Sequence, residues 1–364
     1  MRLISNAILS EAMSIAKSRR YVVFGAGAVG AAIGGLLAKA GSRVICVARP
    51  AHAEALKRGI LLKKEDGEDV MLKTDAVTAV AHLSPEEGDF VLLTTKSQAT
   101  ESAVEELFEV YGGALPIVCL QNGVRNEEIT ARRFDTVYAG LVFLSAVQLE
   151  PTVISLPQGG TVAIGCYPFG LDDASRDLCV DLSRAGIEAT ASAHVMAMKW
   201  GKLVANLNNA TTTITGYWLE QAMSDPEMRK LMLEVREEGL AVLDAAGIAV
   251  EPPPDEPSPI RIRDMTQKLR QPTRPRNDFA NLPEDRRTYS SMWQDLYLGR
   301  KSNEAEFLNG EIVTRGAKLG IPTPYNSTLL EIVNRMFEEG LRPGLYSPGE
   351  LDDLVRSRVG RDAE

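Results

Sequence analysis

Residues 21–41 read YVVFGAGAVGAAIGGLLAKAG, and this stretch decides the fold. A short apolar run, Tyr21–Phe24, meets Gly25, Gly27 and Gly30 in G-x-G-x-x-G spacing, with Ala26, Ala28 and Val29 filling the loop. Each glycine has its own task. Gly25 allows the tight turn out of the strand, Gly27 lets backbone approach a pyrophosphate, and Gly30 lets the following helix pack closely on the strand. The helix pattern Ala31–Lys39 then offers unpaired N–H groups and a positive dipole end to phosphates. A second strand pattern, Arg43–Ala48, completes a strand–helix–strand unit that reads as dinucleotide-binding.

The end of that second strand selects the dinucleotide. NAD-specific folds place Asp or Glu about 20 residues beyond the glycines to hold the ribose 2′-hydroxyl. Here the strand ends in Arg49 and no acid stands there. A guanidinium pairs with a 2′-phosphate through its planar fork, so the expected cofactor is NADP(H).

The chain has 364 residues, enough for two domains. It is 45% apolar, 24% charged and carries a net charge of −9, which argues against a nucleic-acid partner. No run of 18 apolar residues occurs, so no membrane span is expected. The cysteines Cys46, Cys119, Cys166 and Cys179 lie far apart without a C-x-x-C pair, and read as reduced thiols in a cytoplasmic protein. No metal-ligand cluster is evident.

Strand and helix patterns alternate through the first half. Residues 1–20 read as an N-terminal extension and 21–190 as a Rossmann-like α/β domain. Leu61–Leu62 and Val70–Leu72 flank a hairpin turn, FVLLT at 90–94 and IVCL at 117–120 read as buried strands, and Val137–Val147 is β-rich. From 191 to 345 helical periods dominate, with helices expected near 195–213, 225–246, 260–270, 285–300, 303–318 and 325–339. Residues 251–287 form a proline-rich excursion, and 346–364 a charged tail. The fold class is thus an N-terminal Rossmann-like dinucleotide-binding domain followed by an all-helical C-terminal domain.

In open α/β sheets ligands sit beyond the C-terminal strand ends. Lys96 follows FVLLT and Asn122 follows IVCL, so both are candidates for the cofactor side. In the helical half, MKWGKLVANLNNA at 198–210 places Asn206 at about 40°, Asn209 at about −20° and Thr213 at about 20° from Lys202 at a 100° helical step. Lysine, amides and hydroxyl share a face that suits a ligand bearing carboxylate and carbonyl oxygens. The chain's histidines, His52, His82 and His194, offer little as a proton donor, which leaves Lys202 as general acid. A third cluster, YSSMWQDLYLGRKSNEAEFLNG at 289–310, brings Ser290, Ser291, Asp295 and Glu304, with Glu304 expected at a helix start.

These segments resemble the ketopantoate reductase (2-dehydropantoate 2-reductase) family across nearly all of 21–340. The resemblance rests on GAGAVG at 25–30, Arg49, TTKS at 94–97, QNG at 121–123, KLVAN at 202–206, SSMWQD at 290–295 and EAEFLNG at 304–310. It implies NADPH-dependent reduction of ketopantoate to pantoate, a step toward pantothenate. It implies Lys202 as general acid, Asn122, Asn206 and Ser291 on substrate, Asn122 also near the nicotinamide ribose, Glu304 orienting the lysine and the cofactor, and Lys96 on NADP. The family's usual second asparagine, eight residues after the lysine, is Ala210 here, and Asn209 lies on the appropriate face. Asp295 and Glu304 stand one residue further apart than usual.

Two other readings stay open from sequence: a reductase of a different 2-keto acid, of D-2-hydroxyacid dehydrogenase type, and a non-catalytic NADP-binding regulator. The expected partner is a small 2-keto acid. A homodimer is the oligomer expected on frequency alone.

Overall fold

The computed structural model describes residues 19–64, 68–144, 146–150, 153–156, 160–251, 287–301 and 303–362. The expected extension up to residue 18, the helix near 260–270 and most of the 251–287 excursion lie outside the described residues. The chain divides into two units, Met1–Lys199 and Trp200–Glu364. The expected boundary after residue 190 falls too early, because Val195 is fully buried with Ala139, Leu141 and Ala163 of the first unit.

The first unit runs β1 (Arg20–Phe24), α1 (Ala28–Lys39), β2 (Arg43–Val47), α2 (Pro50–Arg58), β3 (Ile60–Lys64), β4 (Val70–Leu72), β5 (Asp75–Val77), β6 (Asp89–Leu93), α3 (Thr100–Tyr111), β7 (Ile117–Cys119), α4 (Asn126–Ala131), β8 (Val137–Phe143), β9 (Val147–Glu150), β10 (Val153–Leu156), β11 (Thr161–Cys166), α5 (Asp173–Arg184) and β12 (Glu188–Ala191). Eight strands form one sheet in the order β5-β2-β1-β6-β7-β8-β11-β12, parallel except where β11 meets β8. With β3 and β4 set aside, its first six strands follow the doubly wound dinucleotide-binding order, which reverses between β1 and β6. The remaining strands form a smaller sheet, β4-β3-β10-β9. The expected hairpin is its antiparallel β3–β4 pair, and the expected β-rich run from Val137 splits into β8 and β9 of different sheets.

Strand alternation explains the layering. Tyr21 and Val23 of β1 face one core with Ile33 and Leu37 of α1 and Leu178 and Leu182 of α5. Val22 and Phe24 face the other, with Val104 and Leu107 of α3. Burial on both faces is what a parallel sheet requires of its strands, hence their near-continuous apolar runs. At the other end of β1, the Arg20 guanidinium grips the Asp89 carboxylate of β6 with Nε–Oδ1 and Nη2–Oδ2 contacts of 2.7 and 2.6 Å.

The second unit is helical. The helix α6 (Val195–Asn206) begins in the first unit, and α7 (Asn208–Thr215), α8 (Leu219–Ser224), α9 (Pro226–Ala245), α10 (Ser291–Tyr297), α11 (Asn309–Leu319), α12 (Pro324–Glu339) and α13 (Pro348–Asp362) follow. Its core includes Leu207, Ile214, Val235, Leu243, Ile312, Leu329 and Val333. The helix expected over 195–213 is interrupted at Leu207, whose carbonyl accepts from Asn309 Nδ2 at 3.1 Å. The charged tail expected over 346–364 is instead mostly the helix α13. Its Leu351 and Val355, one turn apart, are fully buried, and Asp352 accepts from Tyr325 Oη at 2.8 Å.

Candidate active site

In the first unit the glycine loop sits where the strand order reverses. Gly25 takes φ +90°, and a side chain there would stand 2.5 Å from Thr95 Cγ2. A side chain at Gly30 would strike Thr94 Oγ1 and come within 3.1 Å of Val23 Cγ1, so the helix approaches the strand only because the Cβ is missing. Gly27 differs. It is exposed, its φ is −75°, and an added Cβ would meet only Gly25 O at 3.9 Å. The protein's own packing leaves Gly27 no reason to lack a side chain, whereas close approach of a pyrophosphate supplies one. Ala26 is buried, and Ala28 and Val29 open α1 with partial exposure. No side chain caps α1 and no acid occupies its first turn, so its positive end is uncompensated by neighbouring carboxylates.

Arg49 is exposed at the end of β2 and serves as N-cap residue of α2. His52, on the first turn of that helix, bonds Gln148 through Nδ1 at 3.1 Å, while its Nε2 is sealed without a hydrogen-bond partner among the described residues. Burial, reinforced by the Arg49 charge, pulls the His52 pKa below the ordinary histidine value.

The next two strand ends are tied together. Lys96 is partly exposed at the end of β6, as is Asn122 at the end of β7. The Asn122 carbonyl accepts from Ser97 Oγ at 2.9 Å and from Asn126 Nδ2 at 2.8 Å, and Gly123 turns the chain at φ +81°. Behind them lies a buried ion pair that sequence reading missed. Lys199 Nζ meets the Glu127 carboxylate and donates to Gln121 O at 3.1 Å, with both side chains nearly inaccessible. Burial pushes the Glu127 carboxyl up against the opposing pull of Lys199. The only signal in sequence was a lysine one turn before Lys202.

In the second unit α6 and α7 are buried along most of their surface, and Lys202, Ala205, Asn206 and Asn209 are the partly exposed exceptions between residues 201 and 215. Leu207 keeps helical dihedrals (φ −54°, ψ −33°), so the expected face survives the interruption. The neighbouring Asn208 is committed to the core, with Nδ2 donating to Met232 O at 3.3 Å. Thr213 is also buried, and its hydroxyl donates to Asn209 O at 2.7 Å, so it leaves the polar face. Ala210 is fully buried. Asn209 is therefore the residue beyond Asn206 that presents an amide on the side of Lys202.

Ser290 caps α10, accepting from Trp293 N at 3.3 Å, and receives the Thr212 hydroxyl at 3.1 Å, which ties α10 to α7. Ser291, the first residue of α10, is exposed. Asp295 is buried and paired with Arg300 at 2.5 Å. Glu304 is partly exposed but does not begin an α-helix. It precedes a 3₁₀ turn, Ala305–Phe307, and Leu308 at φ −116°, ψ −90° separates that turn from α11. Asn303 Oδ1 takes the Ala305 N–H at 2.8 Å, so the cap belongs to Asn303, and the expected dipole reason for an acid at 304 does not apply. Among the described residues no cluster of His, Cys, Asp and Glu could hold a metal ion, and no helix is long and apolar enough to cross a membrane.

Residues 21–168 match the family described as ketopantoate reductase PanE/ApbA, and residues 194–337 match its C-terminal part. A 2-dehydropantoate 2-reductase of Archaeoglobus fulgidus is 31% identical over 326 residues, covering 89% of this chain and 99% of the relative. The crystal structure of a PanE/ApbA family ketopantoate reductase from Ralstonia eutropha JMP134 superposes with a TM-score of 0.74 at 28% identity, covering 88% and 99% of the two chains. A D-mandelate dehydrogenase bound to NADH and anilino(oxo)acetate shares the fold, with a TM-score of 0.72 at 22% identity and the same coverages.

Proposed function

The chain belongs to the ketopantoate reductase family, a family of dinucleotide-binding oxidoreductases, and we propose that it reduces a 2-keto acid, ketopantoate first, to the 2-hydroxy acid with NADPH. The observation that carries this reading is the half-exposed polar face of an otherwise buried helix pair, Lys202, Asn206 and Asn209, in a chain matched to that family along most of its length.

A bound nicotinamide supplies the hydride. The protein's part is orientation and one proton. Lys202 gives the proton from Nζ to the former carbonyl oxygen as its charge develops. Asn206, Asn209 and Ser291 present N–H and O–H donors to the substrate's oxygens, which favours the alkoxide-like transition state over the planar ketone. Asn122 holds substrate and the nicotinamide ribose, and Glu304 orients Lys202 and the cofactor. The loop from Gly25 through Ala26, Gly27, Ala28 and Val29 to Gly30 takes the pyrophosphate. Arg49 pairs with the 2′-phosphate, and Lys96 contacts NADP. The exposed Arg49, where an NAD-specific fold needs an acid, supports NADPH over NADH.

A second substrate reading rests on Ala210. The family's usual second asparagine is replaced there by a buried alanine, which fits a 2-keto acid other than ketopantoate. Steady-state oxidation of NADPH with purified protein and a panel of 2-keto acids separates the two. Turnover with ketopantoate, reduced about 10²–10⁴-fold in Lys202→Ala with NADPH affinity kept, is the expected result. Turnover confined to another keto acid would transfer the proposal to that substrate, and a Lys202→Ala enzyme of undiminished rate would remove the lysine from the mechanism.

A further inference from the structure

Arg236 lies on α9, within the second unit. Its only hydrogen bond among the described residues is a long one, Nη2 to the carbonyl of Ala205 at 3.5 Å, and its Nε is sealed from solvent with no partner. No described carboxylate pairs with it. Arginine is rarely buried without a counter-ion, because the charge gives up hydration that nothing repays. Burial alone pulls its pKa down to about 10, which still leaves it charged at neutral pH.

The place of this cation is informative. Met232, Arg236 and Gly239 fall at i, i+4 and i+7 on α9. Met232 O binds Asn208, a side chain at Gly239 would meet Leu207, and Arg236 reaches Ala205 between them. Ala205 belongs to the partly exposed face of Lys202, Asn206 and Asn209. A 2-keto acid brings one negative charge to that face. Lys202 has to deliver a proton to the carbonyl oxygen, so the carboxylate calls for a second cation. We infer that Arg236 is that cation, a carboxylate-recognition residue whose guanidinium meets no carboxylate among the described residues and takes that of the incoming acid. A planar fork suits a carboxylate better than an ammonium does. The inference rests on the proposed 2-keto acid chemistry and names how the acid is distinguished from a neutral ketone.

Oxamate, a 2-oxo carboxylate mimic, tests it by calorimetry on the full chain with excess NADP⁺. Wild type should bind oxamate, Arg236→Met at least tenfold more weakly, and Arg236→Lys in between. Without oxamate, Arg236→Met should melt at or above wild type, since a partly buried charge with no carboxylate partner among the described residues has been removed. In turnover, Arg236→Met should lose kcat/KM on a 2-keto acid and keep it on the corresponding 2-keto amide. Oxamate binding that is equal in wild type and Arg236→Met, or absent from both, would overturn the inference. So would equal losses on acid and amide. A wild type that turns over no keto acid yet binds oxamate through Arg236 would defeat the proposed reaction and leave this site standing.

Discussion

The hydroxyl of Thr94 donates to the carbonyl of Gly25 at 3.0 Å, with Phe24 O at 3.2 Å, and so fastens the end of β6 to the first turn of the glycine loop. The two strand ends that flank the reversal of the sheet are thereby one unit. Thr94→Val keeps the shape and deletes the donor. Stability should fall by about 1 kcal/mol. Dinucleotide affinity should drop more than that loss explains, because the loop is no longer held; titration of NADPH fluorescence on the variant checks this. Unchanged affinity would mean that the loop holds its shape without Thr94.

Gly25 and Gly27 should separate cleanly under the same substitution. Gly25→Ala forces a side chain at φ +90° into Thr95 and should cost about 1–3 kcal/mol in urea unfolding. Gly27→Ala enters open space and should unfold like wild type while binding cofactor at least several-fold more weakly. A Gly27→Ala protein with full affinity would show that nothing approaches that backbone.

Lys199 and Glu127 form a fully enclosed pair, so removing one partner strands the other. Lys199→Met should destabilise by about 3–5 kcal/mol. The double change Lys199→Met with Glu127→Leu should recover most of it, since two apolar side chains replace two desolvated charges. A double-mutant cycle by chemical denaturation measures the coupling. Additive losses would show that the pair's attraction contributes little.

His52 sets a pH dependence. Its folded pKa lies below the unfolded value near 6.5, so its stabilising contribution is intact above about 6.5. As pH falls below that, the unfolded chain takes up a proton that the folded one refuses, and stability declines until the lowered folded pKa is passed. Against His52→Gln, the wild-type Tm should fall more steeply from pH 7 toward 5. Parallel curves would mean that His52 titrates alike in both states.

Much of the fold was legible because local signals agreed with one another. The apolar strand runs appear as β1, β6 and β7 within a residue or two of expectation, and the helix after the glycines appears as α1, starting three residues before the expected Ala31. Where local and tertiary demands diverged, sequence reading failed. The tail beyond residue 346 is charged on average, yet Leu351 and Val355 repeat at one-turn spacing and bury against the bundle. Acid at 304 suggested a helix start, but Asn303 took the capping bond.

The site divides along the same line. The chain's order of residues alone determined that the strand after the glycine loop ends in Arg49 rather than an acid, and that Lys202, Asn206 and Asn209 share a helical face, because backbone periodicity and glycine sterics act over a few residues. Tertiary structure decided which polar groups stay available. Thr213 and Asn208 satisfy themselves inside the unit, Lys199 is consumed by Glu127, and Arg236 is left beside Ala205 with no carboxylate partner among the described residues. Those outcomes depend on partners 24 to 78 positions away in some cases, such as Asn208 with Met232 and Lys199 with Gln121. Desolvation and hydrogen-bond completion are settled only when such distant segments meet, and no local pattern encodes them.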